Sequence, residues 1–142
     1  MKSKRLWLAA GAISSLMLTG CATQAITAED AIPAPAERLY LYQSAPLSNH
    51  GKLTVTRDSG FAGSGCGVVI SINGKPAAKL NQGETSSFTL PSGRVIIGAS
   101  ANRGICSTGL KEAKDTIIED EEIRYRTGFD QSGSLGLFPT AY

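Results

Sequence analysis

The sequence is short of the side chains on which most catalysis depends. It has one histidine, His50, and three cysteines, with no Cys-x-x-Cys pair among them. It contains no Gly-x-Ser-x-Gly and no Ser-x-x-Lys, so a serine triad would have to find its base in His50 alone. A lone histidine with no second nitrogen or thiol beside it in sequence is no zinc site. Gly60 to Gly67 is rich in glycine but lacks the Gly-Lys-Ser/Thr ending of a phosphate loop and any helix after it, which leaves a flexible loop. Glu119 to Glu122 is acidic but lacks the spaced oxygens and turn glycine of a calcium loop, so it reads as a solvated turn. No cofactor or metal is expected, and the chain reads as a non-enzyme. No apolar run reaches the roughly 20 residues that a membrane-spanning helix needs.

What is present begins at the N-terminus. Lys2, Lys4 and Arg5 precede the apolar or small run Leu6 to Leu18, a basic start and short hydrophobic stretch of the secretory kind. The only tryptophan, Trp7, and both methionines fall in this segment. The run ends in Leu18-Thr19-Gly20-Cys21, which resembles the lipobox of bacterial lipoproteins. That resemblance implies recognition of Leu18, Thr19 and Gly20 by a signal peptidase, a diacylglycerol on the Cys21 sulfur, and acylation of the amine freed by cleavage. Several acyl chains anchor stably where one binds only marginally. Ala22, in place of the aspartate that retains lipoproteins at the inner membrane, implies the outer membrane, facing the periplasm.

Removal of residues 1–20 takes 3 of the 14 basic residues and none of the 12 acids, so the mature chain carries 11 against 12, a net −1. The precursor's +2 therefore belongs to the signal, and no nucleic-acid partner is expected. Two cysteines remain, Cys66 and Cys106. In an oxidising compartment an even pair reads as one disulfide, closing a loop of about 40 residues. Cys66 lies just before one apolar strand and Cys106 just after another, and antiparallel neighbours would bring those ends together.

Ala22 to Glu37 is small, holds two prolines and has no period, as in a tether; extended, its sixteen residues reach roughly 50 Å. From Arg38 the period is two. Strands are predicted at 38–43, 52–57, 67–73, 76–80, 86–90, 94–101, 116–119 and 122–129. Val68, Ile70 and Ile72 share one face, as do Val95, Ile97, Ala99 and Ala101. Asn73-Gly74 marks a hairpin turn. Leu110 to Lys114 could form a helix but is too short to weigh. Seven or eight short strands predict an all-β fold, a small antiparallel sandwich with one disulfide. The domains are then a signal at 1–20, Cys21 and a flexible tether at 21–37, and the sandwich at 38–142.

Ile72-Asn73-Gly74-Lys75, then Leu80, then Phe88-Thr89-Leu90-Pro91-Ser92-Gly93 and an apolar strand, resembles the PEGA-type strand module. Small bacterial lipoproteins of the domain-of-unknown-function kind are similar, running from a Tyr-Leu-Tyr opening to a strand after an acidic turn. The resemblance covers roughly residues 37–130. It implies a transthyretin-like or immunoglobulin-like sandwich in the cell envelope and carries no catalytic residues.

These features point to an anchored binding or scaffolding module with one protein partner in the envelope. An inhibitor of an envelope hydrolase such as a lysozyme, or a secretion-system accessory lipoprotein, would share anchor and fold class. Candidate contact residues are Ser59, Phe61 and Ser64 in the glycine-rich loop, and Tyr40 and Tyr42. The two tyrosines would share a strand face, either as an exposed strip or as a second buried layer.

Overall fold

The structure, a computed structural model, describes residues 23–101 and 106–141. It is all-β, with nine strands: β1 Ile32–Pro33, β2 His50–Arg57, β3 Val68–Ile72, β4 Lys75–Leu80, β5 Glu84–Pro91, β6 Gly93–Ser100, β7 Leu110–Ile117, β8 Glu122–Phe129 and β9 Leu135–Pro139. One sheet runs β1-β5-β2-β8-β9 and the other β4-β3-β6-β7. They stack as a sandwich. Alternation decides what lies between them. Leu53 and Val55 of β2, Val68, Ile70 and Ile72 of β3, Phe88 and Leu90 of β5, and Val95, Ile97 and Ala99 of β6 are all buried there. Transfer of such side chains from water, at about 25 cal/mol per Å² of apolar surface, is the main term holding the sheets together.

The opposite face of β2 is buried too, yet polar. Thr54 Oγ1 lies 2.8 Å from Ser87 Oγ and donates to Glu122 at 2.6 Å, while Thr56 and Thr85 hydroxyls meet at 3.0 Å. These are cross-strand pairs in register, Thr54 with Ser87 and Thr56 with Thr85. The Asn73-Gly74 turn joins β3 to β4 with φ of 50° and 77°, the left-handed pair that a type I′ turn requires.

Several expectations need correction. Arg38 to Gln43 is not a strand. Ala36–Arg38 forms a 3-10 turn, Leu39 makes a single bridge to Ala78, and Tyr42 sits at φ 63°, which breaks any extended run. Leu110 to Lys114 is not helical but the start of β7, paired along its length with β6. Its Lys111, Glu112 and Lys114 are exposed on a sheet edge, where charge discourages further pairing. β9 falls where no strand is predicted; Gly136 and Pro139 hide it, and both are tolerated on an edge. The sandwich is not wholly antiparallel, since β2 pairs parallel to β8, and β1 to β5.

The domain also starts before Arg38. β1 lies inside the segment read as tether, Ala34 is buried, and the Ile32 and Ala34 amides donate to Gly83 and Thr85 at 2.9 Å. Arg38 forks onto Glu84 at 2.6 and 2.5 Å.

Candidate functional site

β2 ends, and β8 ends beside it, at the pole of the sandwich where residues 58–67 cross between the sheets. Arg57, the last residue of β2, is 1 % exposed and aimed inward. Its guanidinium donates to the carbonyls of Leu80 at 3.1 Å, Gly63 at 2.5 Å and Cys66, and lies 5.4 Å from the centre of the Phe129 ring. Burial lowers its pKa to about 10 against the attraction of Glu84 and Asp58, so it stays charged at neutral pH. A buried cation is tolerable only when its donors are used, and here they grip the loop backbone. Cys66 and Cys106 are bonded, with Cα atoms 5.7 Å apart and 40 residues of separation. Gly60 to Gly67 is therefore tied down by Arg57 from within and by the disulfide at its end, which corrects the reading of it as a flexible loop.

Asp58 follows Arg57 and is also buried. Its Oδ2 is 3.6 Å from Arg126, an ion pair without hydrogen-bond contact, and its Oδ1 has no partner among the described residues. Burial pushes the carboxyl up from 3.8 to about 6, with Arg126 and Arg57 pulling the other way. It fits only because residue 128 is glycine: a Cβ there would stand 2.5 Å from Asp58 Oδ2. Asp58 lines a cleft of about 560 Å³ between β7 and β9, shared with Lys111, Glu112, Arg126 and Thr23.

Thr23 brings the start of the described chain to this pole. Its hydroxyl donates to the Phe129 carbonyl. Gln24 and Ser59 exchange two backbone hydrogen bonds, at 2.7 and 3.0 Å. The chain thus joins the loop three residues after Cys21. Cys21, Leu18, Thr19 and Gly20 themselves lie outside the described residues.

Of the remaining candidates, Ser59 is taken up by this bridge, Ser64 is exposed, and Phe61 is 80 % exposed at the loop tip. Tyr40 and Tyr42 do not share a face. Tyr42 packs against the core and its carbonyl accepts from Thr89 at 2.8 Å. Tyr40 is about half exposed and borders a groove of about 480 Å³ with Gly65, Cys66, Gly67, Val69 and Lys79. The structure joins Tyr40 to the glycine-rich loop rather than to Tyr42. His50 opens β2 at the far pole, where its Nδ1 meets the Ser48 carbonyl at 3.0 Å. The cleft beside it, about 250 Å³, is lined by Lys52, Thr89 and the Asp120–Glu122 turn, with no serine or cysteine. Asp120 sits there at φ 60°, as in a tight turn. Among the described residues no group of three or more His, Cys, Asp and Glu converges to hold a metal.

Sequence reasoning missed Arg57, Asp58, Arg126 and Gln24. For Arg57 the signal was there: Leu53 and Val55 face the core, so residue 57 must as well. The chain matches no family model and no curated protein.

Proposed function

We propose that the mature chain is a lipid-anchored, non-catalytic binding module of the bacterial envelope, held in the outer membrane through Cys21 and facing the periplasm. The observation that carries this is the join between anchor and domain. The sequence Leu18-Thr19-Gly20-Cys21 ends a secretory segment, and Gln24, three residues later, is already paired to the sandwich. A disulfide-locked domain suits an oxidising compartment.

The same reading keeps the likeness to PEGA-type lipoproteins, which the β3–β4 hairpin and its Asn-Gly turn support. The partner is an envelope protein. It docks on the groove between Tyr40 and Lys79, where an exposed aromatic ring and a cation flank the fixed loop at Cys66.

Two measurements test this. Intact mass of the membrane-extracted protein should show loss of residues 1–20 plus acyl mass, and Cys21→Ser should leave an unprocessed precursor. Cross-linking in the envelope should recover one protein whose yield falls at least about tenfold on Tyr40→Ala, as for an aromatic interface anchor. A free Cys21 thiol on a soluble protein sinks the anchor. Hydrolytic activity that disappears with His50→Ala sinks the non-catalytic reading.

A further inference from the structure

We infer that the Arg57 pole of the sandwich rests on the lipid surface itself, with Phe61 inserted at the headgroup boundary. This rests on lipidation at Cys21 and goes beyond it, because an anchor alone does not fix which face meets the membrane.

Chain length sets the geometry. From Cys21 to Thr23 there are two residue steps, at most about 7 Å when fully extended. Thr23 is bonded to the Phe129 carbonyl and Gln24 to Ser59, so the acylated end leaves the domain beside the 58–67 loop. The tether of roughly 50 Å expected from sixteen free residues is not available while these contacts hold. Lifting the domain clear would break the Gln24–Ser59 pair and then the Ile32 and Ala34 bonds to β5.

Phe61 lies two residues beyond Ser59, so the ring stands next to the anchor point. It is 80 % exposed, although the loop bearing it is held by Arg57 and by the disulfide. Its neighbours Gly60, Ala62, Gly63 and Ser64 carry no charge that would resist entry into the interface. Phe129 packs beneath the loop, where a Cβ on Gly63 would stand 2.4 Å from its ring, so the space under Gly63 is already filled. A loop held at Gly63 and Cys66, with an uncharged stretch from Gly60 to Ser64 and an aromatic tip beside a lipid anchor, matches a shallow interfacial contact, some 5–10 Å deep. At the far pole lie the Glu119–Glu122 turn and the fully exposed Leu47, a β2 length of roughly 25 Å away.

The mature chain has no tryptophan, since Trp7 leaves with the signal. Phe61→Trp and Leu47→Trp therefore each give a single reporter at opposite poles, both at exposed positions that leave the core intact. The full lipidated proteins are reconstituted into phosphatidylethanolamine–phosphatidylglycerol vesicles with or without brominated acyl chains. Vesicle flotation and acyl mass are read on the same samples. The inference expects Phe61→Trp to lose roughly half its emission to the brominated lipid and shift to the blue, and Leu47→Trp to do neither. Protein that floats and carries acyl mass while both reporters stay unquenched overturns the inference and leaves the anchor standing. Equal quenching of both also overturns it, because no pole is then preferred. Protein without acyl mass that fails to float overturns both the inference and the lipoprotein reading.

Discussion

Asp58 holds a carboxylate where its charge is costly. Unfolded, it ionises near 3.8; folded, near 6, because burial weighs more than the pull of Arg126 and Arg57. Between those pH values the folded state carries the extra proton. Its contribution to stability is therefore greatest below about pH 4, falls as pH rises through the window, and stays low above about 6. Asp58→Asn removes the charge at almost constant shape, and Arg126 loses little because its side chain is partly in solvent. The variant should be more stable than the wild type at pH 7 by on the order of 2 kcal/mol and nearly equal to it at pH 4. Urea denaturation at the two pH values decides this. A variant weaker at pH 7 would mean that attraction to Arg126 outweighs desolvation.

Among the elements, the disulfide joins the approach to β3 to the far end of β6, whose paired strands run Val69 against Ser100. Cutting it lengthens the unfolded chain's freedom over 40 residues while Arg57 keeps its own hold on the Cys66 and Gly63 carbonyls. Cys66→Ala with Cys106→Ala should cost about 4 kcal/mol by the loop-entropy account, seen as a lower urea midpoint that reductant no longer changes. A loss under about 1 kcal/mol would mean that the unfolded chain already keeps residues 66 and 106 close without the bridge. The pairing was legible because Val68-Ile70-Ile72 and Val95-Ile97-Ala99 announce two inward faces, and the cysteines bracket them. Other elements were not. Lys111, Glu112 and Lys114 favour helix locally, and only pairing with β6 makes them a strand. Arg38 to Gln43 alternates convincingly until Tyr42 turns left-handed. The parallel pairing of β2 with β8 joins residues some 70 apart and leaves no local trace. The Asp58 site is hidden for the same reason, since it depends on a missing Cβ at Gly128 across that pairing.

The molecule as a whole is larger than its alternating pattern. A fragment cut at Arg38, where the period of two begins, keeps every long strand and the Arg38–Glu84 fork. It loses the Gln24–Ser59 pair, the Thr23 bond to Phe129, the Ile32 and Ala34 bonds to β5, and buried Ala34. Each net hydrogen bond contributes on the order of 1 kcal/mol, and the freedom regained by residues 23–37 works against that. Residues 38–142 should therefore fold, with a urea midpoint below that of residues 23–142 if the segment's bonds and buried Ala34 outweigh its ordering. Hydrogen exchange gives the sharper test. The Ser59 amide donates to Gln24, so it should be protected in the longer chain and exchange freely in the shorter one, while amides between β2 and β5 stay protected in both. Equal urea midpoints, with Ser59 exchanging alike in the two chains, would restore residues 22–37 as a free tether. The short reach on which the proposed contact between Phe61 and a lipid surface depends would then be lost, because a free tether of sixteen residues spans up to roughly 50 Å.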